Sequence, residues 1–376
     1  MKAYQCLGLF LTLSLWSCSS SLSGTGTAQA EDWREDYAAY VQEVMEDEEI
    51  PGLALGIVEG QEIVWAEGYG LRDLDNRLPV TPETLFNIAS THKSMTAMLV
   101  GTVVDEGLLD WDQPLVSVVP SFYLFEPLAT ETVTIRHLLS MTGGIPEEAE
   151  EELFEGATAA DIFEIIGETP LLGEPGEVFN YSNLSSAASG YMAALVSGSS
   201  LETLYEDYGQ LLRERILDPI GMDTATLSSN EVRQRPDYAL SYVLSDGEAV
   251  LSESYDVEGD PLAPSGALKA NVVEMAQYVA TQLNGGVAPN GNRVISTETL
   301  QQTWEPMLEN YGMGWEIRDY GGMEIISHTG SYDDFGSVIG FVPELGVGFV
   351  ILLNCEEAGA ELVEDAPYVL VDLLIE

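Results

Sequence analysis

The chain has 376 residues, enough to bury a substantial core as one large domain or two modest ones. It carries 63 acidic against 13 basic residues, a formal net charge of −50, yet 45 % of it is hydrophobic, so it is a folded chain and not a disordered acidic tail. No basic cluster exists, which argues against nucleic acid and anionic headgroups as partners.

The acidic residues run through the whole chain, and lysine occurs only at positions 2, 93 and 269. Self-repulsion on this scale destabilises a compact state unless ions screen it. The composition is similar to that of proteins from salt-loving organisms and leads to the expectation of a protein that works in high salt. The alternative is an acidic secreted protein.

Residues 1–18, "MKAYQCLGLFLTLSLWSC", hold one positive charge and an apolar run from Leu7 to Trp16. That run is too short to span a bilayer but suits a signal-peptide core. "LWSC" resembles a lipobox that would make Cys18 a lipidated N-terminus, while "AQA" at 28–30 is a competing cleavage site farther from the apolar run. The first reading leaves residues 19–30 as a flexible tether reaching ~20 Å, and an extracytoplasmic protein touching the membrane only through its anchor; the second gives a secreted protein. Cys355, in an apolar run, reads as a buried core thiol. No Cys/His cluster has metal spacing, and no cofactor or metal is expected.

An amphipathic segment at 32–48 comes next, then two strands around a turn at Glu59–Gly60. A helix is predicted from about Ser90 to Glu106, closed by Gly107. Helical periodicity and loops fill the middle, at 136–141, 158–167, 184–197 and 201–217, with six glutamates in 147–155 read as a solvated helix face or flap. A helix follows from about Asn271, then strands with a hairpin turn at Pro343–Gly346, then a last helix from about Ala360. The fold class expected is therefore α+β: one antiparallel sheet flanked by helices and assembled from both chain ends, residues 31–115 and 263–376, plus an inserted, mostly helical domain at 116–262.

Three short patterns carry chemistry. Ser90 and Lys93 stand i, i+3 on one helical face, so a hydroxyl and an amine can meet. A serine is a poor nucleophile until a base takes its proton, and a lysine kept partly neutral by burial can do so. The alternative is a helix cap and a solvated charge. Tyr181 and Asn183, two apart before a helix, offer a phenol to relay a proton and an amide to hold a carbonyl; otherwise they are a core aromatic and a cap. His328, Thr329 and Gly330 close an apolar strand, where glycine lets a substrate lie close and the N–H of Ser331 faces an oxyanion.

Ser-x-x-Lys near residue 90, Tyr-x-Asn about 90 residues on and His-Thr-Gly about 150 further on together resemble the serine β-lactamase and penicillin-binding-protein superfamily. The closer likeness is to its class C-like branch, with D-aminopeptidases, DD-peptidases and esterases. "PETLFNIAST", "VTIRHLLSMTGGIP", "PGEVFNYSN", "APSGALKANVVEMAQY" and "YGMGWE" support it, and the likeness covers roughly 33–376. It implies Ser90 as acylated nucleophile, Lys93 as base and proton shuttle, and Tyr181 as the tyrosine that deprotonates the nucleophile or protonates the leaving group. Asn183, His328, Thr329 and Gly330 would bind substrate, and the N–H groups of Ser90 and Ser331 would form the oxyanion hole. His328 replaces the lysine of true β-lactamases, so a D-amino-acid peptide or small ester is the expected substrate ahead of a β-lactam. "SYDDFG" places Asp333 and Asp334 near the mouth, and the glutamate run at the rim. His92 and His137 read as packing residues. The rival reading is a non-catalytic penicillin-binding or scaffold lipoprotein with the same fold.

Overall fold

The computed structural model describes residues 33–253 and 258–375. The signal segment, the tether and Cys18 lie outside the described residues. Helix Trp33–Asp47 leads into β1 (Gly52–Glu59) and β2 (Glu62–Asp73), joined through Gly60 at φ +59°. Short strands β3 (Leu78–Pro79) and β4 (Phe86–Asn87) precede helix His92–Asp105. The stretch expected to be helical holds helices Ile135–Leu139, Asp161–Glu168, Asn183–Val196 and Leu204–Leu212, the last running into a π-type turn.

It also contains a hairpin that the helical reading did not include, β5 (Tyr242–Ser245) with β6 (Glu248–Leu251). Asp246 and Gly247 at its tip have φ of +54° and +82°, the two positive values that an Asp-Gly hairpin turn supplies cheaply. Strand β7 (Lys269–Ala270) and helix Val272–Leu283 follow, then β8 (Glu316–Tyr320), β9 (Met323–Tyr332), β10 (Phe335–Val342) and β11 (Val347–Leu353). The final helix begins at Glu356, a turn earlier than its periodicity suggested.

The large sheet is antiparallel, in the order β3-β2-β1-β11-β10-β9-β8. The two ends of the chain meet where β1 pairs with β11, Leu53 opposite Leu353 through Glu59 opposite Val347. These central strands are buried on both faces, which is why they read as unbroken apolar runs. One face, with Leu53, Leu55 and Ile57, packs on Tyr37 and Leu362 of the terminal helices. The other, with Ala54, Val58 and Ile339, packs on Val272 and Met275 and continues into helix His92–Asp105. Gly348 admits that layer closely, since a Cβ there would strike Val279. Twelve residues of His92–Asp105, His92 through Val103, are buried, so the helix runs through the core, with Lys93 among its polar side chains.

Strand β8 pairs with β9 only from Met323 to Ser327. From His328 to Tyr332 the edge of β9 away from β10 therefore has no strand beside it among the described residues, and the site forms along it.

Candidate active site

Ser90 sits in a single 3-10 turn, Ala89–Thr91, that feeds helix His92–Asp105, and not inside the α-helix itself. The turn starts from strain: Ala89 has φ +51°, costly for a residue with a Cβ. Several hydrogen bonds hold it. Ala89 N donates to Asn87 Oδ1 at 2.8 Å, and the Ile88 carbonyl accepts from Thr91 Oγ1 at 2.6 Å and from Ser337 Oγ of β10 at 2.7 Å.

Lys93, one turn on, is 1 % exposed, and its Nζ reaches three acceptors. They are Ser90 Oγ at 2.9 Å, Asn183 Oδ1 at 2.7 Å and the Ser265 carbonyl at 3.0 Å. Desolvation pulls its pKa from 10.5 down to about 7, partly opposed by the Glu150 carboxylate. The other described lysine, Lys269, is 3 % exposed, so neither lysine of the described residues serves as a solvated surface charge.

Tyr181 ends the loop before helix Asn183–Val196, whose N-cap is Ser182. Its hydroxyl lies beside Ser90, which partly offsets the rise in its pKa, and its ring lies 4.8 Å from Lys93 Nζ. Burial first, and then Glu316, Glu147 and Glu150, push its pKa well above 10, so it is a phenol at any ordinary pH. Asn183 Nδ2 donates to Glu150 Oε2 at 2.9 Å, which takes one of its two amide hydrogens.

Along β9, Gly330 is where the strand and the nucleophile turn touch. A Cβ there would lie 2.8 Å from Ser90 N, 2.9 Å from the Ala89 Cβ and 2.6 Å from Ser337 Oγ. The hairpin to β10 closes at Tyr332 opposite Phe335, with Ser331 opposite Gly336 next. In antiparallel pairs hydrogen-bonded and non-bonded positions alternate, so Ser331 and Thr329 point their backbone groups away from β10, toward the unpaired edge. The N–H of Ser331 thus faces the cleft from one side, and that of Ser90, in the opening turn of its helix, from the other.

His328 lines the cleft but is held by the protein on both sides of its ring. It is 3 % exposed, with Nε2 2.8 Å from Tyr311 OH and Nδ1 against the Thr329 carbonyl. Burial, then Lys93, lowers its pKa to about 3, so it is neutral, with both ring nitrogens engaged, and offers no charge to a substrate carboxylate. Tyr311, Tyr181 and His328 pack edge-on or tilted into one aromatic wall, with ring centroids 5.7–6.2 Å apart.

The cleft is a cavity of about 330 Å³ that Ser90, Tyr181, Asn183 and the 328–331 edge line, with three carboxylates, Glu316, Glu356 and Glu364. Asp333 and Asp334, expected at the mouth, do not line it. They form the β9–β10 turn at φ +48° and +63°; Asp334 accepts from Ser252, and Asp333 faces a separate cavity of about 120 Å³ beside Lys269. Both belong to the turn beyond Tyr332 and not to the 328–331 edge of β9 that lines the cleft. A larger cavity, about 730 Å³, is lined by Glu148, Glu152 and Glu164 and contains none of the motif residues, so its size does not make it the catalytic one.

His92 is fully buried, with Nε2 3.2 Å from Tyr208 OH, and His137 closes a capping box with Thr134; both are packing residues. Cys355 is buried. The residues the sequence reading missed are Asn87, Ser265, Tyr311, Ser337, Glu150 and Glu316. Asn87, Ser265, Tyr311 and Glu316 lie inside phrases that carried the resemblance; Ser337 and Glu150 had no such signal.

The β-lactamase family model matches residues 37–374, and the chain belongs to that family. A protein of Aspergillus campestris named unguisins hydrolase ungD' is 28 % identical over 85 % of this chain and 61 % of its own length. The protein flp of Staphylococcus aureus strain MW2 is 26 % identical over 86 % of this chain and 63 % of its own length. The chain thus spans about three-fifths of the curated relatives it matches. The structure of an octameric penicillin-binding protein homologue from Pyrococcus abyssi superimposes with a TM-score of 0.76 at 26 % identity, over 91 % of this chain and 78 % of that one.

Proposed function

We propose that this member of the β-lactamase family is a serine hydrolase that forms an acyl-enzyme on Ser90. Neutral Lys93 takes the Ser90 hydroxyl proton as Oγ attacks the carbonyl carbon of an amide or ester. The oxyanion is held by the N–H groups of Ser90 and Ser331. The C–N or C–O bond then breaks, and the leaving group departs with a proton from the Tyr181 hydroxyl, which regains one from Lys93. Water then gives a proton to the same relay as its oxygen attacks the acyl carbon, the acyl C–Oγ bond breaks, and Ser90 Oγ takes that proton from the relay as the acid leaves. The observation that carries this reading is the 2.9 Å contact between Ser90 Oγ and a lysine that burial brings to about 7.

The substrate is a small ester or a peptide containing D-residues, with a neutral or amine-bearing acyl group, ahead of a β-lactam. The cleft's acidic lining and the neutral His328 support this, because nothing there rewards a substrate carboxylate. The relative named a hydrolase supports turnover over a scaffold role. Anchoring outside the cytoplasm through Cys18 belongs to the same proposal. The test is a panel in molar salt of p-nitrophenyl butyrate, a D-Ala-D-Ala peptide and nitrocefin. Hydrolysis of the ester or the peptide, lost in Ser90→Ala, is expected; no Ser90-dependent turnover of any of the three would overturn it.

A further inference from the structure

The glutamate run 147–155 has the look of a solvated stretch, and most of it is one. Residues 147–152 form a 3-10 segment in which Glu147, Glu148, Glu151 and Glu152 are exposed. Glu150 is only partly exposed. The segment is pinned where Glu147 N donates to Asn180 Oδ1 at 2.7 Å, one residue before Tyr181, and this turns Glu150 inward onto Asn183.

The chain of contacts has a direction that chemistry fixes. An ammonium has only hydrogens to give and a carboxylate only lone pairs, so an amide between them must face its oxygen to one and its NH2 to the other. Asn183 does so, with Oδ1 2.7 Å from Lys93 Nζ and Nδ2 2.9 Å from Glu150 Oε2. Without the carboxylate only Lys93 selects this orientation over the flipped one, which would set amide hydrogens against those of the ammonium.

We propose that Glu150 is a positioning residue of this site: it locks the Asn183 amide with its oxygen toward Lys93, and its charge stabilises the protonated lysine. Among the described residues, nothing else that faces Lys93 does the second job. His92 from its own helix and His328 from β9 are both buried and neutral, and Tyr181 is a phenol. Glu150 is the carboxylate whose field opposes the desolvation of Lys93. It keeps the lysine near neutrality, where it both accepts and returns a proton, when burial alone would hold it deprotonated.

The inference rests on the Ser90–Lys93 reading, but its test needs no turnover. The full chain has three lysines, so lysine labelled with 13C at Cε gives a sparse spectrum in which Lys93 is assigned by its loss in Lys93→Arg. Titration in molar salt should show the Lys93 midpoint lower by about half a pH unit or more in Glu150→Gln, which keeps the shape and removes the charge. Glu150→Ala, which also removes the contact, should lower it at least as far. Glu148→Gln, in the same exposed run, should leave it in place. An unmoved midpoint in Glu150→Gln, or an equal shift in Glu148→Gln, would overturn the proposal. A chain that never acylates Ser90 but shows these shifts would defeat the function and leave the Glu150 relation standing.

Discussion

Lys93 Nζ and Ser90 Oγ lie 2.9 Å apart in a place where the lysine is 1 % exposed. A buried lysine is expensive to keep charged, and in a chain of net charge −50 with three lysines it is not there for solubility. Replacing it by methionine, which keeps the bulk and removes the amine, should lower the rate of Ser90 acylation by about a thousandfold. Fluorophosphonate labelling rates in the two proteins measure this, and a rate within a few-fold of wild type would remove Lys93 as the base.

The two partners of Ser90 predict different pH profiles. Below about 7 Lys93 is an ammonium with no lone pair, so acylation should rise about tenfold per pH unit up to about 7 and then level off. A base role for Tyr181, whose pKa is raised above 10, would instead give a rate still climbing past pH 9. The second-order rate constant measured from pH 5 to 10 separates them.

Tyr181 as a phenol is suited to giving a proton to a leaving group. Tyr181→Phe should therefore slow cleavage of amides by roughly a hundredfold or more and spare p-nitrophenyl esters, whose leaving group departs unprotonated. Equal losses on both substrate types would place Tyr181 in the attack on the carbonyl instead.

Gly330→Ala would push a methyl group toward Ser90 N and Ser337 Oγ at the distances where Cβ atoms are not found. The expected cost is about 1–3 kcal/mol of stability together with loss of acylation, since the strand and the nucleophile turn must separate. A variant that melts and acylates like wild type would show that β9 and the turn are not in register as described.

The three carboxylates of the cleft predict substrate charge selection. Between matched esters bearing an amine or a carboxylate on the acyl chain, kcat/KM should favour the amine by ~10-fold or more at low salt. The preference should shrink in molar salt as screening shortens, and shrink also in Glu316→Gln. A preference for the carboxylate ester would contradict the acidic reading of the cleft.

Much of this site was legible in sequence because its spacing is local. Ser90 and Lys93 meet through the i, i+3 geometry of one turn, and Tyr181 with Asn183 through the entry to one helix. The central strands were legible as apolar runs. What escaped depends on contacts between distant residues. Glu150 is one of six glutamates in a run with no apolar phase, and only Asn183, 33 residues on, decides which of them turns inward. His328 is neutral because Tyr311 and the surrounding core bury it, which a His-Thr-Gly triplet does not state. Asp333 and Asp334 lie in the turn beyond the edge of β9 that lines the cleft, and the hairpin at Asp246–Gly247 rests on an Asp-Gly turn that the helical reading of the middle passed over.

The most direct measurement is the intact mass of the protein after exposure to a fluorophosphonate in molar salt, at pH 6 and pH 8, with the adduct located by peptide mapping. A single adduct on Ser90 is expected, forming faster at pH 8 than at pH 6, absent in Ser90→Ala and nearly absent in Lys93→Met. An adduct that persists in Ser90→Ala, or forms at the wild-type rate in Lys93→Met, would contradict the account.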